Sequence, residues 1–271
     1  MNRGPDKAEL IGRCAGMLAA AEAGRKPIEP LTATFPQLDV ADAYAIQQAN
    51  VQRRVARGER IVGHKIGLTA KAMQELFNVN EPDYGHLMNT MMHDQYVPLD
   101  LGGLIDPQIE VEPAFVLGRR LQGPGVSVAD VLHATDCVRV CLEVIDSRII
   151  GWRIRLPDTV ADNGSSARVV LGSIEAKPSG LALDDMETEL ELDGVVIETG
   201  NTNAILGHPA RSIAWLANRL AGFGIAFEPG HVVLPGTCTR SVRLNGRRRI
   251  VGRIAGLGEV TLDLSGKPAI S

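Results

Sequence analysis

The chain has 271 residues, 45% hydrophobic and 22% charged, enough for one large domain or for one domain with a helical extension. Apolar runs such as residues 149–152 and 169–172 fall far short of the roughly 20 residues that cross a bilayer, which excludes an integral membrane protein. With 28 basic against 32 acidic residues and a net charge of -4, no global field attracts a polyanion, so nucleic acid is not an expected partner.

Residues 6–23 place Leu10, Ile11, Cys14, Met17, Leu18 and Ala21 on one helical face. Arg13 and Glu22 interrupt the alanine-rich stretch, so it reads as a helix rather than a signal peptide, and a cytoplasmic location is expected. A proline-bearing linker, 26–37, leads to Asp39, a good N-cap for a second helix running to about Arg57 and closed by Gly58. A strand at 61–67 follows, and Thr69 can cap a third helix through Phe77. The first 80 residues therefore read as mainly helical.

Beyond Val97 the texture changes to short alternating runs between Gly, Pro, Asn and Asp. Strands are predicted at 108–117, 137–145, 169–173, 187–192, 195–199, 231–234, 241–244, 250–254 and 258–263, with helices at 127–133 and 209–221. Asn245-Gly246 reads as a two-residue hairpin turn that places Arg247, Arg248 and Arg249 on a solvated strand start. Strands and helices do not alternate regularly, so a doubly wound parallel sheet is disfavoured. An α+β fold with a curled sheet or sandwich core is preferred.

Cys14, Cys137, Cys141 and Cys238 form no C-x-x-C pair and no zinc-type Cys/His spacing, and read as buried reduced thiols. The apolar neighbours of Cys141 favour packing over a nucleophilic role.

The strongest chemical signal lies in the run 108–117. Alternation puts Glu110 and Glu112 on one face with Ala114 and Val116, and Ile109, Val111, Phe115 and Leu117 on the other. Glu143 is a third unusual acid, opposite the face of Val138, Val140, Leu142 and Val144. Two carboxylates about 4 Å apart repel by roughly 4 kcal/mol at an effective dielectric near 20, so a cluster of three needs protonation, basic partners or a cation. Oxygen-only ligation suits a hard divalent ion such as Mg2+ or Mn2+. The competing reading puts Glu110 and Glu112 on the solvent face of an antiparallel edge strand.

Gly63-His64-Lys65-Ile66-Gly67-Leu68-Thr69, then Met73-Gln74 and Pro82-Asp83-Tyr84-Gly85, resembles the N-terminal signature of the 2-hydroxypenta-2,4-dienoate (2-keto-4-pentenoate) hydratases. The strand of Glu110 and Glu112, the block 142–149, the block 158–166 and the block 230–236 are similar to that family in the same order. The likeness covers nearly the whole chain and extends to the fumarylacetoacetate-hydrolase-like superfamily. It implies a mixed β-sandwich roll, with an N-terminal helical region at 1–80 and a catalytic β-roll domain at 81–271. It also implies that Glu110, Glu112 and Glu143 hold Mg2+ or Mn2+ and that Lys65, Asp83, Ser165 and Ser166 serve the active site.

The implied reaction is addition of water to a 2-hydroxy-2,4-dienoate, giving a 4-hydroxy-2-oxo acid in meta-cleavage degradation of aromatic compounds. Lys65 is expected to neutralise the substrate carboxylate or enolate, and Asp83 to move protons or orient water. The runner-up is a 4-oxalocrotonate decarboxylase, which would need a further cation from Arg139, Arg168 or Arg240; a third reading is a non-catalytic partner subunit. A homo-oligomer, and association with a pathway neighbour, are expected from the family. Three departures stand out. Pro113 replaces an aliphatic residue and suggests an edge or bulge, Cys141 stands where alanine is usual, and His231 replaces an aspartate.

Overall fold

The computed structural model describes residues 7–69, 74, 75, 79 and 81–270. Among the described residues the helices are, in chain order, α1 (Lys7–Gly24), α2 (Leu31–Thr34), α3 (Val40–Ala56), α4 (Val128–Ala134), α5 (Leu156–Ala161) and α6 (Pro209–Ala221). Asp39 caps α3 as expected, its carboxylate accepting from the Asp42 N–H at 2.8 Å, and Gly58 follows the helix at φ +92°. Leu10, Cys14 and Leu18 of α1 pack with Ile46 of α3, Val160 of α5 and Ile149 in a helical cluster. Of the helix predicted over 69–77, residues 70–73, 76 and 77 lie outside the described residues. No helix among the described residues is long and apolar enough to cross a membrane.

The strands are β1 (Ile61–Gly67), β2 (Asp83–Met88), β3 (Met92–His93), β4 (Leu99–Asp100), β5 (Pro107–Leu117), β6 (Thr135–Asp146), β7 (Ser166–Leu171), β8 (Glu187–Leu192), β9 (Val195–Asn201), β10 (Val232–Leu234), β11 (Val242–Arg243), β12 (Arg249–Ile254) and β13 (Gly258–Ser265). They form a mixed sheet in the order β2-β1-β10-β5-β6-β7-β3, with β11 also on β5, and a second sheet in the order β4-β13-β12-β8-β9. The large sheet thus begins within the first 80 residues, at β1.

The two sheets pack face to face. Val111 and Leu142 meet Gly252 of β12 so closely that a Cβ there would lie 3.0 and 2.9 Å from them. Ile109, Val111, Phe115 and Leu117 enter this core together with Val138, Val140, Leu142 and Val144, the face that the two-residue alternation assigned them. The opposite face of the large sheet carries Ala114, Cys141, Val169 and Leu234, packed against Val51 of α3 and Leu87, Met88 and Met91. The architecture is α+β, with a sandwich core and an N-terminal helical layer.

Two local readings are revised, and one strand forms where none is predicted. Asn245-Gly246 does not make a hairpin, because β11 before it pairs with β5 in the large sheet while β12 after it belongs to the other. Asp83, whose proline and glycine neighbours look like a turn, opens the buried strand β2, antiparallel to β1. Pro113 causes no bulge, since the β5/β6 register runs unbroken from Pro107 to Val116, but on the other flank it faces a local edge, the gap between β11 at Ile109 and β10 at Phe115. Pro113 opposes Val140, whose carbonyl is turned away to accept the Gly172 N–H at 2.8 Å. The pair is therefore one in which neither residue donates to the other, and the missing proline N–H removes no bond from this ladder.

Candidate active site

Glu110 and Glu112 lie on the helix-facing side of the large sheet. Glu110 is the register partner of Glu143, and Glu112 of Cys141, so all three glutamates share one face. The edge-strand alternative fails because β5 is bonded on both flanks, by β6 and by β10 and β11. Each glutamate offers an oxygen within 4.8 Å of the others. Glu112 and Glu143 are buried and Glu110 is half-buried.

Lys65 on β1 is the register partner of Leu234 on β10, which places it on the same face. Its ammonium lies 3.5 Å from Glu143 Oε2 and donates to the Gly164 carbonyl at 3.2 Å. Asp83 pairs with Gly67 across β1 and β2. A Cβ at Gly67 would stand 2.2 Å from Asp83 Oδ1, so the glycine clears the space that this carboxylate fills.

Electrostatics follow from crowding four carboxyl groups, three buried and one half-buried, around one ammonium. Burial pushes Glu110 up to about 7, opposed by Lys65 and reinforced by Glu143 and Asp83. Burial also lifts Glu112 well above the carboxylate range, with Glu143 and Glu110 adding to it, against Lys65 and the Gly236 N–H. Asp83 is raised by burial against the pull of Lys65. For Lys65 burial favours the neutral amine, but Glu143, Glu110, Asp83 and Glu112 together outweigh it, so the ammonium is retained.

The donor set fits a hard divalent cation. Both Glu143 oxygens are buried without a hydrogen-bond partner, an arrangement that costs several kcal/mol per group unless a cation or proton satisfies it. Glu112 is already oriented, accepting the Gly236 N–H at 2.9 Å. Gly236 itself has φ +115°, and a Cβ there would meet Thr69 Oγ1 at 2.2 Å. Sequence reasoning assigned Gly236 no role; its glycine identity was the available signal.

The two serines are placed differently from the lysine. Ser165 donates to Asp162 Oδ2 at 3.2 Å. The Ser166 hydroxyl is buried without a partner and lines a cavity of about 260 Å3 with Arg54, Arg148, Asp162 and Asn163; none of the three glutamates lines it. The buried Arg148–Asp162 ion pair, 2.5 Å between Nε and Oδ1, also went unassigned in the sequence. The three arginines considered for a second substrate carboxylate have partners in the protein: Arg139 binds the Gly172 carbonyl and Glu175, Arg168 donates to the Ala167 carbonyl, and the exposed Arg240 pairs with Glu198. Cys141 is buried, and burial together with Glu112 and Glu143 drives its thiol well above the usual range, which suits packing and not nucleophilic attack.

Residues 89–264 match the fumarylacetoacetate (FAA) hydrolase C-terminal family. The chain is 43% identical over 218 residues to a 2-hydroxypent-2,4-dienoate hydratase of Pseudomonas putida, covering 80% of this chain and 98% of that one. It is 40% identical over 242 residues to a 2-hydroxyhexa-2,4-dienoate hydratase of Comamonas testosteroni, covering 89% and 92%. Among solved structures, 4-oxalocrotonate decarboxylase from Pseudomonas putida G7, complexed with magnesium and adipate, superposes with a TM-score of 0.91 at 35% identity, over 97% of this chain and 100% of that one. With the glutamate strands, the Lys65 signature and the sandwich all in place, the chain belongs to the 2-keto-4-pentenoate hydratase family of the fumarylacetoacetate hydrolase superfamily.

Proposed function

We propose that the protein is a metal-dependent hydratase that adds water to 2-hydroxypenta-2,4-dienoate, or to a substituted dienoate, to give the 4-hydroxy-2-oxo acid in meta-cleavage degradation of aromatic compounds. The observation that carries the reading is the Glu143 carboxylate, fully buried, 3.5 Å from the Lys65 ammonium but accepting no hydrogen bond, and clustered with Glu110 and Glu112. These three residues would hold Mg2+ or Mn2+, which when bound supplies Lewis acidity toward the 2-oxo acid group.

The chain's own groups divide the remaining work. Lys65 stays an ammonium and neutralises the substrate carboxylate or its enolate oxygen. Asp83 has a raised affinity for a proton and an oxygen, Oδ1, with no hydrogen-bond partner. It suits delivery of a proton to C5 and the orienting of water toward C4. Ser166 offers its unpaired hydroxyl to the cavity it lines with Arg148 and Asn163, while Ser165 supports the 163–165 turn through Asp162. We place the enzyme in the cytoplasm as a homo-oligomer that associates with a pathway neighbour. Exposed Tyr96 and Phe223 supply apolar surface for such contacts.

The structural likeness to a 4-oxalocrotonate decarboxylase favours a second reading, loss of CO2 from a dicarboxylate. Against it stands the engagement of Arg139, Arg168 and Arg240 elsewhere. Dienol absorbance followed in parallel for 2-hydroxypenta-2,4-dienoate and 2-oxohex-3-enedioate, with Mg2+ or Mn2+, with chelator and with CO2 trapping, tests both. Hydration of the monocarboxylate is expected; CO2 release from the dicarboxylate would overturn the hydratase reading.

A further inference from the structure

We propose that Asp162 and Asn163 are positioning residues: they hold a left-handed turn whose Gly164 carbonyl fixes the ammonium of Lys65 at the glutamate cluster. The inference rests on the reading of Lys65 as the cation that meets substrate.

Asn163, Gly164 and Ser165 have φ values of +58°, +59° and +56°. Three consecutive left-handed residues, two of them not glycine, persist only where their surroundings over-determine them. Two clamps do so here. On one side the Asp162 carboxylate accepts from Arg148 Nε at 2.5 Å, from the Arg148 N–H at 3.0 Å and from Ser165 Oγ at 3.2 Å, while Arg148 also binds the Asp162 carbonyl at 2.5 Å and the Asp146 carbonyl at 2.8 Å. On the other side the Asn163 amide brackets the backbone of His86, accepting its N–H at 2.8 Å and donating to its carbonyl at 2.9 Å.

The turn lies tight against both strands that carry Lys65 and Asp83. A Cβ at Gly85 would meet the Asn163 carbonyl at 2.6 Å, and a Cβ at Gly164 would meet Lys65 Cδ at 3.0 Å. The ammonium is thus placed by one carbonyl, Gly164 at 3.2 Å, and one carboxylate, Glu143 at 3.5 Å. A lysine side chain has four rotatable bonds and loses much conformational freedom when fixed; the carbonyl, itself immobilised by the two clamps, selects one arrangement.

A double-mutant cycle separates positioning from support of the fold. Hydration kinetics would be measured for the wild type, Asp162→Asn, Asn163→Gly and Lys65→Ala, and for each clamp variant combined with Lys65→Ala. Asn163→Gly keeps the left-handed backbone accessible and removes only the amide clamp, so it serves where Asp162→Asn fails to fold. Each clamp variant is expected to lower kcat/KM roughly 10- to 100-fold in the presence of Lys65, and by no more than about 3-fold in the Lys65→Ala background. Equal losses in both backgrounds would overturn the proposal. A crystal structure of Asn163→Gly gives a readout independent of turnover: loss of the Lys65–Gly164 contact is expected, and its retention overturns the proposal. Absence of any dienoate hydration by the wild type would sink the hydratase reading alone, leaving the crystallographic result to decide the positioning.

Discussion

Glu110 and Glu143 are register partners across β5 and β6, and the Lys65 ammonium stands 3.5 Å from the second of them. Strand pairing thus forces two carboxylates together, and one positive charge faces three glutamates and Asp83. Four carboxyl groups around one ammonium leave a negative excess that a bound cation or protonation relieves.

Removing one ligand tests this directly. A divalent ion present at about 100 times its Kd stabilises the folded state by about 2.7 kcal/mol, roughly 5 to 10 °C for a chain of this size. Glu143→Gln is expected to abolish the rise in Tm produced by Mn2+ or Mg2+ and its reversal by chelator. Differential scanning fluorimetry reads it; an undiminished rise in the variant would refute Glu143 as a ligand.

Protons and metal compete for Glu110. Its carboxyl titrates near 7 in the folded protein because burial and its acidic neighbours outweigh Lys65. A cation needs the deprotonated form, and Glu112 is raised as well, so affinity for Mn2+ is expected to rise by at least roughly tenfold per pH unit below about 7. Calorimetry in buffers of different ionisation enthalpy should show proton release on binding at pH 6, and binding without proton release there would refute the competition.

Acid should destabilise the fold through buried histidines. The Gln47 amide donates to the Tyr84 and Val160 carbonyls, which turns its oxygen toward His86 Nδ1 at 3.1 Å, while Gln48 Nε2 lies 3.3 Å from His86 Nε2. The neutral ring, protonated on Nδ1, satisfies both neighbours, and burial lowers its pKa to about 4. His64, with rings of His86 and His231 beside it, is also held neutral by burial and by those histidines. Because the unfolded chain takes up protons near 6.5, stability present above that pH is lost as pH falls toward 4, by about 2 kcal/mol for His86 alone between pH 7 and 5. The fall in Tm over that range should shrink in His86→Gln.

Gly236→Ala is expected to damage stability and metal affinity together. The left-handed φ disfavours a side chain, and the methyl would strike Thr69, at a cost of about 1 to 3 kcal/mol. Displacing the Gly236 N–H also frees Glu112. A lower Tm with unchanged Mn2+ affinity would show that this amide does not orient the ligand.

The glutamate cluster was legible because strand alternation and antiparallel register are local and periodic: Glu110 and Glu112 two apart, Glu143 on the hidden face of a second apolar strand. Strand β2 was less visible, since Asp83 and Gly85 carry turn preferences that contact with Asn163 and Gly67 overrides. The β7 strand begins at Ser166, earlier than its apolar run suggests, because the left-handed turn before it delivers the chain directly into pairing with Ile145. Asp162 with Arg148 could not be assigned at all, for nothing in their spacing says that one carboxylate gathers Arg148 and Ser165.

Pro113 acquires a meaning from its position. On the flank of β5 opposite β6, β10 pairs at Phe115 and Val116 and β11 at Gln108 and Ile109. Between them the Val111 carbonyl accepts from two side chains and no strand, the Thr237 hydroxyl at 3.4 Å and the Cys238 thiol at 3.9 Å. The proline ring nitrogen faces this interval and offers nothing to recruit a neighbouring strand. The chain leaving β10 is thereby released from the ladder at the point where Gly236 must lend its N–H to Glu112. A residue that looked like a flaw in a central strand acts as a spacer, reserving one backbone donor for the acid it serves.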